Sequence, residues 1–288
     1  MKKNKIKQSR KGLKRWKQLR FVGKVWRVAW VGVLAVWGFT ILQVLFCSVF
    51  NPPLTPLMVK RYFEQKKDDD RVVTFERDYV PIEEISPTLI KAINIAEDGG
   101  GFVYHRGFDV YKMMKAVQHN DTTDCWIGGS TITQQTAKNC FLTNKKTWLR
   151  KILEAHYTVL MEAVWGKKRI MECYINVIEF GDGIYGCEAA CQHYYGHSAQ
   201  YVTALEAAQL VTILPSPLSR DPNYLSPKYR EKAQKYVNKI SKEPPTDWSC
   251  KRSELSPWTL ARYRRQLPDF LKWLAVRRWR QMRGIEVP

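Results

Sequence analysis

The feature that most constrains this chain is a run of 23 residues without a charge, from Val28 to Phe50. A helix needs about 20 predominantly apolar residues to cross the hydrocarbon core of a bilayer, so the run predicts a membrane-spanning helix. A cleaved signal peptide is the alternative reading. The run is long, however, and no small-x-small cleavage pattern precedes Asn51. We therefore interpret residues 28–50 as a retained transmembrane anchor.

Basic residues are concentrated at the two ends of the chain. Residues 1–27 carry twelve Lys or Arg and no acidic residue, and residues 226–288 carry sixteen basic and six acidic residues. Because a basic flank stays in the cytoplasm, residues 1–27 are predicted to form a cytoplasmic tail and the chain beyond Asn51 to lie outside. Both flanks favour anionic membrane lipid as a partner. Nucleic acid is not expected, since no zinc-finger or aromatic-interleaved RNA-binding pattern occurs.

The rest of the chain divides by composition and periodicity. Residues 51–84 are interpreted as a juxtamembrane stalk, residues 85–225 as the folded domain, and residues 226–288 as a basic C-terminal extension. No stretch alternates with period two, so the domain is predicted to be mainly α-helical. The predicted helices cover residues 87–98, 131–142, 147–165, 167–176, 186–195 and 198–213. The apolar face of the helix over 147–165 holds Leu149, Ile152, Leu153, Tyr157, Leu160 and Val164.

The seven cysteines show no repeated spacing, and the sequence alone fixes no disulfide pairing. A cluster with metal-ligand chemistry contains Cys187, Cys191, His193 and His197. The alternative is that these residues line a helix and the turn after it.

A first chemical group lies in AEDGGGFVYHRGFD, residues 96–109. A carboxylate at a helix end beside a glycine-rich loop can reach a substrate in a cleft. Such a group can act as a general base if burial raises its pKa. Glu97 is the candidate base, and an ordinary acidic helix end is the alternative.

A second group is GGSTITQQTAKN, residues 128–139. Thr131 and Gln134 can form a capping box that starts a helix. Capping does not explain the whole run of hydroxyl and amide side chains, and Lys138 lies one turn beyond Gln134 on the same face. Hydroxyl and amide donors beside an ammonium group suit a sugar joined to a phosphate.

A third group, residues 145–162, adds Lys145, Lys146, Arg150, Lys151 and Glu154. Glu154 could simply pair with Arg150.

Taken in this order, these stretches resemble the peptidoglycan glycosyltransferases, glycosyltransferase family 51, in their monofunctional, membrane-anchored form. The resemblance covers residues 85–222. Its five motifs are Glu97-Asp98 with His105 and Gly107; Gly129 to Gln135 with Lys138 and Asn139; Arg150-Lys151 with Glu154; Glu172 to Asn176 with Gly181; and Gly186 to Tyr194 followed by Leu205 to Ala208.

The resemblance implies a reaction and a role for each motif. Glu97 would take the proton from the 4-hydroxyl of lipid II, and that oxygen would displace polyprenyl pyrophosphate from a lipid-linked glycan with inversion. Glu154 would be the second catalytic residue, holding nearby cations or binding a divalent metal. The residues expected to hold the pyrophosphate are Lys138, Lys146, Arg150 and Lys151. The other residues expected at the substrate are Asp98, His105, Ser130, Thr131, Gln134, Gln135 and Asn139.

The resemblance also implies a lysozyme-like, two-lobed α-helical fold, the smaller lobe against the membrane. It implies the bacterial cytoplasmic (inner) membrane, with a single span and a periplasmic catalytic domain. No cofactor is required in the family, although Mg²⁺ or Mn²⁺ helps some members. The expected partners are lipid II, lipid-linked glycan, membrane lipid and cell-wall synthesis proteins.

Two departures from the family pattern stand out. Three glycines follow Asp98 where the family has two residues before the phenylalanine, which leaves the placement of His105 open. Lys146 replaces an arginine and so loses a two-pronged contact to phosphate. Two other classes of protein stay open: a glycan-cleaving enzyme of lysozyme type, and a catalytically silent scaffold.

Overall fold

The protein is described by a computed structural model over residues 2–68, 72–123, 127–145, 147–248 and 271, and for residues 2–22 and 122 by the backbone alone. The chain divides into two compact units, Met1–Phe50 and Asn51–Pro288.

The first unit is one long helix, α1, over Lys2–Val49. The most apolar 18-residue window within its segment Gly23–Val49 has a mean hydropathy of 2.0, and only 11% of that window is buried. An apolar helix of this length with an outward-facing apolar surface fits the predicted single-pass anchor.

The second unit is mainly α-helical, as predicted. Its helices are α2 (Pro56–Lys66), α3 (Pro87–Asp98), α4 (Val110–Thr122), α5 (Ile132–Phe141), α6 (Trp148–Val164), α7 (Lys167–Val177), α8 (Cys187–Tyr195), α9 (Ala204–Ile213) and α10 (Pro227–Ile240). Short 3-10 helices cover Ile82–Glu84, Ala199–Tyr201 and Pro222–Tyr224. The strands are β1 (Glu76–Arg77), β2 (Glu179–Gly181) and β3 (Ile184–Tyr185).

Local sequence signals set the helix ends that matter most for the site. The side chain of Ser86 caps the start of α3, and Gly99 ends that helix with a φ of 58°, a conformation that favours glycine. Thr131 and Gln134 form the predicted capping box at the start of α5. Both helices therefore begin and end close to the predicted residues.

Two elements differ from the sequence-based expectation. The helix predicted over 198–213 is interrupted, because Thr203 and Glu206 form a second capping box that starts α9. A small sheet is also present, in which β3 pairs in parallel with β1 and antiparallel with β2. Strands of two or three residues are too short to show a period of two in the sequence.

The segment predicted to be a stalk, residues 51–84, instead packs into the second unit. Met58 is 0% exposed, and α2 packs against α5. Arg61 of α2 forms an ion pair with Glu179 of β2 at 2.8 Å. The compact unit therefore begins at Asn51 rather than at residue 85, because α2 and β1 find their partners far along the chain.

The C-terminal boundary differs in the same way. Residues 226–288 were expected to extend from the domain, yet α10 packs against α9 and α3. Ala233 and Ile240 of α10 are buried. Residues 249–270 and 272–288 of the predicted extension, which include Trp258, Trp273 and Trp279, lie outside the described residues.

The apolar face of α6 reaches beyond the core. Tyr157 and Met161 are buried, whereas Leu149 and Ile152 at the start of the helix are 68% and 64% exposed, next to Trp148 at 87%. Helix α4 leaves a similar face exposed, formed by Val110, Met113 and Val117. These exposed faces form the apolar surfaces of α4 and α6.

Candidate active site

The candidate residues gather where the C-terminal end of α3 meets the N-terminal end of α5. Asp98 makes this connection. Its fully buried carboxylate accepts hydrogen bonds at 3.1 Å from the backbone amide of Ile132 and from Nε2 of His105. Burial alone would raise the pKa of Asp98, but these bonds and the nearby Lys112 hold it below the ordinary value. Asp98 is thus a structural anion, and the third glycine does not prevent His105 from reaching it.

Glu97 lies beside this junction, with its side chain partly exposed. Its carboxylate accepts a hydrogen bond from the side-chain amide of Gln135 in α5. Burial raises the pKa of Glu97, and Gln135, Lys112 and Lys138 offset only part of that increase. A carboxyl group with a raised pKa that stays accessible from solvent has the properties of a general base.

Thr131 and Gln134 have a different placement from the one expected of substrate-binding residues. They are 0% and 2% exposed, and they cap α5. The hydroxyl of Thr131 also donates to the carbonyl oxygen of Gly107 at 2.6 Å. These two side chains therefore hold the second motif against the first, because the start of α5 has backbone groups that need partners.

A second cluster surrounds the buried carboxylate of Glu154, which accepts hydrogen bonds from Arg150 and Lys151. Lys151 also donates to the hydroxyl oxygen of Ser130 at 2.9 Å. The second and third motifs therefore meet at Lys151, and Glu154 orients two cations.

Lys138 is close enough to the carboxylates of both Glu154 and Glu97 to be influenced by each. Burial lowers the pKa of Lys138, and the opposing influence of Glu154 and Glu97 only partly restores it. Among the described residues, no side chain accepts a hydrogen bond from its ammonium group. Lys138 is therefore a half-buried cation that can still donate to an anionic ligand.

Two predicted site residues are not brought into this arrangement. Asn139 is 5% exposed in α5, and within the described ranges no hydrogen bond joins its side chain to the other candidates. Lys146 lies outside the described residues.

The fourth motif makes structural contacts. The side-chain amide of Asn176 accepts from the backbone nitrogen of Val80 at 3.0 Å and donates to the carbonyl oxygen of Val80 at 2.9 Å. Glu172 accepts from the backbone nitrogen of Ile82 at 3.3 Å. Helix α7 thereby holds the segment that precedes α3.

The cysteine and histidine cluster does not converge on a metal. Cys187 and Cys191 are buried in α8, and burial raises the pKa of both thiols. His193 bonds to Glu76 at 2.9 Å, whereas His197 bonds to Glu206 at 3.2 Å. In the part of the chain that the structure describes, no group of three or more such side chains could hold a metal ion.

Sequence reasoning missed two residues near Glu97. Lys112 of α4 donates to the backbone oxygens of Glu97 and Ser130, in the first and second candidate groups. The hydroxyl of Tyr174 in α7 is fully buried close to Glu97 and Asp98, and burial raises its pKa. No local pattern points to Lys112, because backbone oxygens carry no sequence signal.

The chain resembles known proteins over this whole region. Residues 67–242 match the family described as Transglycosylase. A biosynthetic peptidoglycan transglycosylase of Caulobacter vibrioides is 48% identical over 178 residues, 62% of this chain and 74% of that protein. One of Bdellovibrio bacteriovorus is 42% identical over 218 residues, 73% of this chain and 83% of that protein. One of Cronobacter sakazakii is 43% identical over 192 residues, 67% and 79% of the two chains.

Proposed function

The chain belongs to the transglycosylase family and is a peptidoglycan glycosyltransferase, and on that premise we propose that it polymerises lipid II into β-1,4-linked glycan strands. The reaction proceeds by a single displacement with inversion and releases polyprenyl pyrophosphate. Membership of the family also agrees with the lysozyme-like helical fold that the resemblance implied.

Glu97 is the proposed general base. Its raised pKa suits removal of a proton from the 4-hydroxyl of the acceptor sugar, since a base works best when its pKa lies near the working pH. Gln135 donates to the carboxylate and holds one of its oxygens in place. The other oxygen is then left to face the acceptor.

Lys138, Arg150 and Lys151 are the proposed pyrophosphate clamp. They lie around one buried carboxylate, Glu154, which orients Arg150 and Lys151 through direct bonds. Cations held in place before the reaction stabilise the negative charge that develops on a leaving group. Lys146 of the same motif is proposed to join this clamp.

The remaining candidates divide into substrate contacts and supports. Ser130, held by Lys151, and Gln135, held by Glu97, are proposed to orient the donor and acceptor sugars. Asp98, His105, Thr131, Gln134 and Asn139 are proposed to act through these contacts by fixing the loops and helices that carry them.

No cofactor is proposed to be required. Both carboxylate oxygens of Glu154 already accept hydrogen bonds from cations, so Glu154 does not fit a metal-ligand role in this arrangement. A divalent Mg²⁺ or Mn²⁺ ion would act by neutralising pyrophosphate charge. Activity that survives a chelator would support this proposal.

The protein is proposed to work at the bacterial inner membrane, with the basic tail in the cytoplasm and the enzyme domain in the periplasm. The span Gly23–Val49 and the apolar surfaces of α4 and α6 support contact with lipid. The basic residues of 226–288 are proposed to meet anionic lipid or other cell-wall synthesis proteins.

The observation that carries the proposal is that Lys138 is influenced both by the partly exposed carboxylate of Glu97 and by the charged cluster around Glu154. Purified protein given labelled lipid II tests it. Long glycan chains are the expected product. Shortened glycan would indicate a glycan-cleaving enzyme, and no product with or without Mg²⁺ would indicate a scaffold.

A further inference from the structure

Lys112 is a charged residue of α4 that belongs to none of the recognised motifs. Its ammonium group donates to the backbone carbonyl oxygens of Glu97 and Ser130, the second at 2.5 Å. It also lies 3.4 Å from Oδ1 of Asp98. An ammonium group has three donors, so these three acceptors use all of them. Lys112 is therefore occupied within the protein and is not placed to bind phosphate.

The two carbonyl oxygens mark the ends of the two elements that form the site. The Glu97 carbonyl lies in the last turn of α3, where helix carbonyl groups lack helical partners and a cation is favourable. The Ser130 carbonyl immediately precedes Thr131, the capping residue of α5. One side chain thus joins the end of the helix that carries Glu97 to the start of the helix that carries Gln135 and Lys138.

The same ammonium group acts on the carboxylate of Glu97. Burial raises the pKa of Glu97, and Lys112 is one of the groups that counteract this rise. The charged, titratable and hydrogen-bonding groups that face Glu97 are Asp98 on its own helix, Lys112 from α4, Gln135 and Lys138 from α5, Tyr174 from α7, and Lys232 and Tyr236 from α10.

We propose that Lys112 is a positioning residue for glycosyl transfer, which fixes the backbone of Glu97 against that of Ser130. Its positive charge also favours the ionised form of the Glu97 carboxylate. This inference rests on the proposed role of Glu97 as the base. Lys112 does not touch substrate; it sets the distance between the base and the groups that hold the donor.

The test compares three purified full-length variants. Lys112→Met keeps the length of the side chain but removes its charge and donors. Lys112→Arg keeps the charge, although its planar fork cannot reproduce contacts to three separate acceptors. The matched control is Lys235→Met, which removes an exposed lysine of α10 whose ion pair, within the described part of the chain, is with Glu231. Turnover of lipid II is measured across pH, together with thermal stability and binding of a phosphoglycolipid donor mimic such as moenomycin.

Lys112→Met is expected to lower turnover about tenfold to a hundredfold, since small displacements of reacting groups have effects of this size. The acid limb of its pH–turnover profile, where activity falls on acidification, is expected to move to higher pH. Without the nearby Lys112 charge, the Glu97 carboxylate binds its proton more tightly. Donor-mimic binding should be retained. Lys112→Arg should turn over more slowly than the wild type while keeping the wild-type acid limb. The Lys235→Met control should match the wild type.

Wild-type turnover by Lys112→Met would overturn the proposal, as would a loss of turnover without any movement of the acid limb. If Lys112→Met does not fold, the acid limb of Lys112→Arg decides, and a shifted limb in that variant overturns the proposal. Failure of the proposed function gives a different result, because the wild-type protein would then make no chains from lipid II.

Discussion

The ammonium nitrogen of Lys151 lies 2.9 Å from the hydroxyl oxygen of Ser130, so that the third motif holds the second. Lys151 also bonds to Glu154, whereas no described side chain accepts a hydrogen bond from Lys138. Two lysines that are equivalent in charge thus have different surroundings. Lys151 already donates to two protein groups, whereas Lys138 donates to no described side chain.

This difference predicts separate effects for Lys138→Ala and Lys151→Ala. Lys138→Ala should lose more activity and more donor-mimic affinity than Lys151→Ala. The expected loss is about 1.5–3 kcal/mol, since Lys138→Ala removes a charge-assisted contact to phosphate. Its thermal stability should hold, because burial disfavours the Lys138 charge. Lys151→Ala should instead lower the melting temperature, because the buried Glu154 loses a partner. Binding, chain formation and melting curves measured on both variants check this, and equal mild losses of activity would place the clamp elsewhere.

Glu97→Gln should abolish polymerisation while leaving donor-mimic binding nearly intact. The amide keeps the shape and can still accept from Gln135, but it has no basicity, and loss of a general base typically costs about 10²–10⁴ in rate. Glu154→Gln is the matched comparison and should lower both rate and affinity, because Arg150 and Lys151 lose their orienting charge. Near wild-type chain formation by Glu97→Gln would transfer the base role to Glu154.

The raised pKa of Glu97 predicts a link between activity and stability. Activity should fall on acidification through a pKa above the ordinary glutamate range, since the base must be ionised. A carboxyl group whose pKa is raised by folding destabilises the folded state above that pKa and not below the unfolded value. Glu97→Gln should therefore melt at a higher temperature than the wild type at neutral pH, and this advantage should disappear in acid. Melting curves across pH would contradict the assignment if the difference were constant.

Asp98→Asn should destabilise the domain by about 3–5 kcal/mol, because it removes the charge that three buried or half-buried donors share. The lowered pKa of Asp98 means that its contribution is present above the unfolded pKa and is lost as pH falls through the folded value. Denaturant unfolding at neutral and acidic pH measures this. Asp109→Asn is the control, since asparagine caps a helix as well as aspartate does and should leave α4 intact.

The basic tail predicts the orientation of the anchor. A reporter that is active only outside the cytoplasm should work when fused after Trp248, which preserves α10, and fail when fused at Lys14. Neutral substitutions of the basic residues within 1–27 should weaken this preference. An outside-only reporter that works at Lys14 would overturn the topology.

Local signals account for what the sequence predicted well. The caps of α3 and α5 depend on residues within one turn of the helix end, so Ser86, Gly99, Thr131 and Gln134 could be assigned directly. Position and residue chemistry also singled out Glu97, Lys138 and Glu154, whereas the family resemblance supplied their roles and the remaining candidates. Their contacts, such as Gln135 to Glu97 across 38 positions, depend on how the helices pack.

The misplaced domain boundaries have a similar cause. Arg61 finds Glu179 across 118 positions, and β1 finds β3 across a comparable distance, so composition alone suggested a stalk. Lys112 escaped attention because its acceptors are mainly backbone oxygens, which every residue possesses. The apolar stripe of α6 was recognised, but its periodicity does not distinguish a side that faces the core from one that stays exposed.

The exposed ends of that stripe have a practical consequence for handling the protein. Trp148, Leu149 and Ile152, with Val110 and Val117 on α4, leave the enzyme domain with apolar surfaces that water does not solvate well. Cutting away residues 1–50 would therefore not yield an ordinary water-soluble enzyme. The shortened protein should still need detergent to stay monodisperse, and it should still settle onto vesicles when the detergent is diluted away.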